Sequence, residues 1–175
     1  MTTATRPLVL LAAVAALAAG CGGARGNTAA TTATTPGTDA TAARLSAETL
    51  RAGVRVAISA NVHLSTYVLW HNRIPAWATQ STQGPALKSL RSSAATRRKQ
   101  GIQIKNLSGG YTISAITLAP SYATATAIVK SHQRVAPYKA GRRLGRAITE
   151  DDHARIQLRR IGSSRRFVVW QVTTS

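Results

Sequence analysis

Apolar residues recur at every fourth position in the first half of the chain, which predicts an amphipathic helix with one buried face. The residues that share this spacing are Leu50, Val54, Ile58 and Val62. Ser46 is placed to cap the helix N-terminus, and Glu48 lies in the first turn, where a carboxylate interacts favourably with the helix dipole. Pro75 cannot continue a helix, so we expect the helix to end at or before Ile74.

A second helix is predicted between two residues that commonly mark helix ends. Pro85 suits the first turn because its missing N–H is not needed there, and Gly101 suits the left-handed conformation that closes a helix. The apolar positions between these ends are Leu87, Leu90 and Ala94. The cations at residues 97–99 (Arg-Arg-Lys) interact favourably with the negative end of the helix dipole, which supports the same boundary.

The pattern changes to period two after Gly101, which predicts β-strands. The alternating segments are residues 102–104, 111–115, 123–129, 154–158 and 167–172. Gly109-Gly110 and residues 162–164 (Gly-Ser-Ser) are predicted turns between neighbouring strands. The last segment is apolar at nearly every position, so we predict either a central strand or one that is covered on both faces.

Two helices followed by strands with short connections predict an α+β domain. We expect N-terminal helices packed on an antiparallel sheet of four to five strands. Residues 45–175 are enough for a single domain with a sizeable core, and no internal repeat divides them.

A different apolar run occupies the N-terminus. Leu8–Ala19 is uninterrupted, which at twelve residues is short of the roughly 20 that span a membrane but is typical of a signal-peptide core. Arg6 precedes this run, and the small residues 18–20 lead into Cys21, an arrangement that resembles the lipobox of bacterial lipoproteins. The resemblance implies a signal peptide at residues 1–20, cleavage before Cys21, and attachment of diacylglyceryl and palmitate lipid to that cysteine. A secreted protein cleaved near Ala19 is the alternative.

The segment after the lipobox consists mostly of Ala, Thr and Gly, and it cannot bury enough apolar surface to offset the entropy of ordering. We therefore predict a disordered tether that, with Cys21, occupies residues 21–44. Cys21 is the only cysteine, so the chain forms no intramolecular disulfide. These features predict a domain held by its lipid on the outer face of the bacterial cytoplasmic membrane.

Three segments of the C-terminal half resemble the nuclear transport factor 2-like superfamily, and small actinobacterial lipoproteins of that kind in particular. They are RRKQGIQI at residues 97–104, ATATAIV at residues 123–129 and RFVVWQV at residues 166–172. The resemblance covers about residues 45–174 and implies a curved sheet wrapped by helices around a conical cavity. It implies no particular activity, because the scaffold serves enzymes, binding proteins and assembly domains alike.

The chain is strongly basic, with 23 Lys and Arg against 5 Asp and Glu and a formal charge of +18, or +17 once Arg6 is lost with the signal peptide. Such a field attracts polyanions and weakens with salt. We do not expect nucleic acid as the partner of an exported protein, and the tryptophans are scattered rather than interleaved with the basic residues as base stacking would require. We expect an anionic envelope component or an envelope protein as the partner, and a merely solvated basic face is the alternative. The candidate anion-binding residues are Arg142, Arg143, Arg155, Arg159, Arg165 and Arg166.

Residues 150–153 (Glu-Asp-Asp-His) form the densest group of titratable side chains. Such residues can act as general bases or metal ligands, but their spacing matches no metal signature and we predict a polar loop ahead of a strand. His63 and His71 lie about two turns apart on the first helix, too far for direct chelation. We therefore assign no catalytic residue, metal or cofactor from the sequence.

Two functions remain open. The first is a non-catalytic binding or interaction module with a basic surface. The second is a small-molecule pocket inside the cone, used by a carrier or by a lyase- or isomerase-like enzyme. An apolar cavity would favour the second function, and its candidate lining residues are Tyr111, Ile113, Trp170 and Val172.

Overall fold

The computed structural model describes residues 37–162 and 164–174, with side chains from Ala47 onwards. The predicted signal peptide, the lipidation site Cys21 and the tether up to residue 36 lie outside the described residues. The elements in chain order are α1 (Gly37–His71), a 3₁₀ helix (Ala76–Gln80), α2 (Gly84–Gln100), β1 (Ile102–Leu118), β2 (Thr124–Lys139), β3 (Arg142–Arg143), β4 (Ile148–Arg160) and β5 (Phe167–Thr174).

The strands form one antiparallel sheet in the order β1-β2-β4-β5, and the short β3 pairs with the end of β2. The sheet is curved and open, and α1 and α2 pack on it. This arrangement confirms the predicted α+β class with helices on a sheet of four to five strands. The predicted ends of α2 are also confirmed, because Pro85 occupies the first turn and Gly101 caps the helix in the left-handed conformation with φ of 67°.

The start of α1 differs from the prediction. The helix begins at Gly37, so Ser46 lies within it rather than at its cap, and residues 37–44 are helical where we predicted a disordered tether. This segment contains three alanines, the best helix former, and a helix extends easily once a nucleus exists. The Ala- and Thr-rich composition of this segment excludes a core of its own, but it does not prevent the segment from extending α1.

Gly109 and Gly110 do not form the predicted turn. They lie inside β1, which runs without interruption from Ile102 to Leu118 and is irregular at two bulges, near Leu107 and near Ser114. Gly109 has φ of +128°, and its backbone lies directly against the carbonyl of His132 on β2. A glycine inside a strand often marks such a close approach, so the pair signals an irregular strand rather than a reversal.

The acidic segment is also not the predicted loop. Residues 150–153 lie inside β4 and pair with residues 130–133 of β2, which continues well past the predicted end at Val129. Charged residues can occupy a strand here because Asp151 and His153 are exposed and Glu150 and Asp152 are only partly buried. His132 lies in the middle of β2.

Strand β5 lies at the edge of the sheet and is not a central strand, although Phe167, Val168 and Val169 are all buried. Its edge is covered by the segment that joins the 3₁₀ helix to α2. The Gln83 N–H donates to the carbonyl of Val169 (2.9 Å), and the Val169 N–H donates to the carbonyl of Ser81 (2.8 Å). Covering an exposed edge in this way satisfies its backbone groups and prevents pairing with another chain.

The core has two parts. The larger lies between α1 and the inner face of the sheet and includes Leu50, Ile58, Ala127, Leu158 and Phe167. The smaller joins the second half of α1 to the 3₁₀ helix and α2, and its buried members are Leu64, Val68, Ala78, Leu87 and Ala94. One side of the sheet is therefore occupied by apolar packing, while β2 and β4 present exposed residues such as Lys130 and Arg155 on the other side.

Candidate functional site: a basic outer sheet face and an apolar groove

The side of the sheet opposite the helices presents a row of cations. Alternation along β2 and β4 places Ala127, Val129, Ala154 and Ile156 on the inner face. The residues between them point outward, and four exposed outward residues are basic: Lys130, Arg134, Arg155 and Arg159. We call these four residues and the strand surface between them the outer face.

The strand register places these cations close to one another. Arg155 is directly opposite Ile128, and Lys130 is two residues further along the same face of β2. Such diagonal neighbours lie about 7–8 Å apart, so one anionic group can approach both side chains. Arg159 follows at the end of β4, where its guanidinium carbon lies 3.6 Å from the ring centroid of Trp170. That cation–π contact orients the Arg159 side chain on the protein surface.

The six arginines predicted to bind an anion fall into separate groups. Arg155 and Arg159 lie on the outer face, and the exposed Arg165 and Arg166 lie just before β5, at the adjoining end of the sheet. Arg142 and Arg143 form β3, which pairs with the last residues of β2. Nearly the whole length of β2 separates the two ends, so the six residues do not form one patch.

The acidic segment is divided between the two faces of β4. Asp151 and His153 point outward, and the Asp151 Oδ1 lies 2.6 Å from Nδ1 of His132 on the neighbouring strand. Glu150 and Asp152 share the opposite side of the strand. Burial raises the pKa of Glu150 above its usual value, and the negative charge of Asp152 raises it further. Since the four residues point in two directions, they form no single four-residue site.

The exposed His132–Asp151 pair contributes little to stability, because both side chains are about 70% exposed (68% and 71%). The carboxylate partly offsets the outer-face cations near Lys130 and Arg134. The described residues contain no group of three or more His, Cys, Asp or Glu that could hold a metal ion. His63 and His71 are exposed and contact aromatic rings, those of Trp77 and Tyr67 respectively.

The four side chains predicted to line a cone cavity fall into two groups in the described part of the chain. Tyr111, Ile113 and Val172 pack against the larger part of the core, next to the buried residues of α1. Trp170 is the extra residue of a bulge in β5, opposite the step between Gln157 and Leu158, and its ring lies against Arg159 and Gly84. The packing of the first three on the core therefore weighs against the small-molecule cone.

A groove that the sequence analysis did not predict lies beside α1. It has a volume of about 580 Å³ and is bounded by α1, the 3₁₀ helix and the residues leading into β5. Its lining residues are Gly53, Val56, Ala57, Ala60, His63, Trp77, Gln80, Ser81, Ser164, Arg165, Arg166 and Phe167. Val56 is a large apolar residue that is 69% exposed at the rim of this groove. In the sequence, the groove is signalled only by Val56, an apolar residue of α1 that falls outside the spacing of four and is therefore not on the predicted buried face.

The groove has defined ends. At one end α1 touches the connection between β4 and β5, since a β-carbon on Gly53 would overlap the carbonyl oxygen of Arg165. At the other end the rings of His63 and Trp77 stack with centroids 5.8 Å apart. The wall opposite α1 is held by Arg166, whose guanidinium donates to the carbonyl of Gln80 (2.7 Å). The lining combines an apolar floor with cations at one end and contains no carboxylate.

Comparison with known proteins supports the fold and nothing more specific. No protein-family model matches the chain, and no curated protein matches it. The crystal structure of the intermembrane space region of the chloroplast protein ARC6 is similar, with a TM-score of 0.58 and 9% sequence identity over 69% of this chain and 92% of that one. None of the helices in the described part of the chain is long and apolar enough to cross a membrane.

Proposed function

We propose that this protein is a lipid-anchored, extracytoplasmic interaction module that binds phosphate-bearing anions of the cell envelope through its outer face. The observation that carries the proposal is the row of four exposed cations on two paired strands. The lipobox at residues 18–21 supports the anchor, and the similarity of the C-terminal half to nuclear transport factor 2-like lipoproteins supports the same class of protein.

Binding through the outer face is electrostatic and non-catalytic. Guanidinium groups bind phosphate oxygens through parallel hydrogen bonds, and the neighbouring strands hold Arg155 and Lys130 at a spacing that suits one such group. Because the cations are exposed, salt screens the attraction over about 10 Å at 0.1 M ionic strength. The anchor would keep the domain at the membrane surface, so a weak individual interaction would act at a high local concentration.

The anchor is tested on the full chain expressed in a bacterial host that attaches lipid to exported cysteines. We expect incorporation of a labelled palmitate analogue into the wild-type chain and recovery of that chain with the membrane fraction. Cys21→Ser is expected to abolish the label because the chain has no other cysteine. Labelling of the Cys21→Ser chain, or an unlabelled wild-type chain released to the medium, would contradict the anchor and would leave an ordinary secreted protein.

The outer face is tested on the mature chain, residues 21–175, carrying Cys21→Ser so that no lipid of its own contributes. We expect it to bind vesicles that contain phosphatidylglycerol and to bind phosphatidylcholine vesicles weakly. Binding should fall steeply between low and moderate salt. The double variant Lys130→Glu/Arg155→Glu should weaken it by roughly a thousandfold at low salt, because about 1 kcal/mol per cation near an anionic surface, doubled on charge reversal, amounts to about 4 kcal/mol for the pair.

The double variant Arg142→Glu/Arg143→Glu is the control, since it changes the net charge equally at the opposite end of β2. It should retain most of the binding. Equal loss in both variants would mean that net charge alone acts and would overturn the assignment to the outer face. A phosphate-bearing wall polymer is tested in parallel to distinguish the source of the phosphate. Tighter binding to the polymer than to the vesicles would identify the wall, and not the membrane, as the partner.

A further inference from the structure

We infer that the groove beside α1 is a binding site for an anionic amphiphile, a single acyl chain that ends in a carboxylate or phosphate. The site is separate from the outer face and does not depend on the function proposed for it. The inference rests on the shape of the groove, on the chemistry of its two ends and on the absence of acids from its lining.

The interior of the groove suits an acyl chain. The β-carbons of Ala57 and Ala60, the exposed side chain of Val56 and the ring of Phe167 provide apolar surface along one side of α1. Ten residues of helix separate its ends at Gly53 and His63, which corresponds to a length of about 15 Å. A volume of about 580 Å³ falls within the range of ligand sites, which is about 300–1,000 Å³.

The cationic end of the groove suits an anionic head group. Arg165 is exposed at the end that Gly53 closes, and Arg166 follows it in the same wall. Arg166 is held in place by the carbonyl of Gln80, which leaves other N–H groups of its guanidinium to bind an anion. A head group placed here would direct its acyl chain along Ala57 and Ala60 towards the stacked rings of His63 and Trp77.

Other occupants fit less well. Specific protein interfaces usually involve about 20–30 residues on each side, whereas twelve residues line this groove. A second copy of the chain would bring two strongly basic molecules together, because each carries a formal charge of +18 before any cleavage. A neutral apolar ligand would not use Arg165 or the N–H groups of Arg166 that do not bind Gln80. An anionic amphiphile uses both the apolar floor and the cations.

Binding is measured on the mature chain with Cys21→Ser, by displacement of a fluorescent fatty acid with dodecanoate or dodecanol below their micellar concentrations. We expect saturable binding of one probe per chain, and dodecanoate should displace it at lower concentration than dodecanol. Arg165→Glu should weaken dodecanoate about tenfold or more, the loss of one charge-assisted hydrogen bond, and should leave dodecanol nearly unchanged. Arg142→Glu, the same charge change away from the groove, should affect neither ligand.

A second experiment fills the groove with a bulky side chain. Ala60→Trp should fill the groove and abolish probe binding, whereas Ala52→Trp, at an exposed position of α1 outside the groove, should not. If Ala60→Trp does not fold, Val56→Trp at the exposed rim replaces it. Absence of saturable binding, equal displacement by dodecanol, or unchanged binding in the blocking variant would overturn the inference. So would a concentration-dependent dimer that the blocking variant dissociates, because the occupant would then be a second copy.

Discussion

Replacing Gly109 by alanine is expected to lower the free energy of unfolding by about 3 kcal/mol or more, the range that steric conflict in a packed backbone produces. Gly109 has φ of +128°, a conformation that residues with a β-carbon rarely adopt. The added β-carbon would also overlap the carbonyl oxygen of His132. Relief would require β1 and β2 to move apart at Gly109, which is paired with Gln133.

Gly110→Ala provides the matched control, because a β-carbon there meets no atom within 4 Å. We expect Gly110→Ala to change the free energy of unfolding by less than about 0.5 kcal/mol. Urea denaturation of the two variants measures the difference. Similar stability of both variants would contradict the close approach of β1 to β2 at Gly109 and would favour the turn that the glycine pair first suggested.

Replacing Asn72 by alanine is expected to cost about 3 kcal/mol, because it removes two hydrogen bonds of a buried side chain and leaves a strained backbone. Asn72 follows α1 with φ of 52°, a conformation that asparagine tolerates better than alanine. Its Nδ2 donates to the carbonyl of Ile102 (2.6 Å), and its Oδ1 accepts from Nε of Arg97 (3.1 Å). The side chain therefore joins the ends of α1 and α2 to the start of β1.

Asn72→Gly separates the two causes, since glycine adopts positive φ without strain but makes neither hydrogen bond. We expect its melting temperature to lie between those of the wild type and Asn72→Ala. Burial lowers the pKa of Arg97 from its usual value, and loss of the Asn72 oxygen removes one acceptor of that half-buried cation. Equal melting temperatures for Asn72→Ala and the wild type would show that the junction does not depend on this residue.

Local signals predicted the element types and several boundaries. Pro85 and Gly101 mark the ends of α2 because their effects, a missing N–H and a favoured left-handed conformation, act within one turn. The change from period four to period two separates the helices from the strands, and the spacing of Leu50, Val54 and Ile58 identifies the buried face of α1. These inferences succeeded because each depends on neighbours a few residues away.

The same signals failed where a distant segment sets the structure. Gly109 reads as a turn residue in the sequence, and only the approach of the His132 carbonyl shows why glycine is needed inside a strand. Residues 150–153 read as a loop because charged residues are uncommon in strands, yet pairing with the extended β2 makes them strand. The apolar residues 167–172 predicted either a central strand or one covered on both faces, and only the structure shows an edge strand that the segment at Ser81 and Gln83 covers.

The candidate sites divide in the same way. Alternation along one strand is a local property, so the sequence could place Arg155 and Arg159 on one face of β4. The pairing register places Lys130 beside these two arginines and Arg142 and Arg143 at the far end of β2. The register connects residues far apart in the chain, so the sequence could not give this arrangement. The groove depends on three segments that meet around Gly53 and Arg165. Periodicity and the residues that mark helix ends act over a few residues, so the sequence alone reveals them. Surfaces and grooves depend on packing between distant segments, which only the tertiary structure determines.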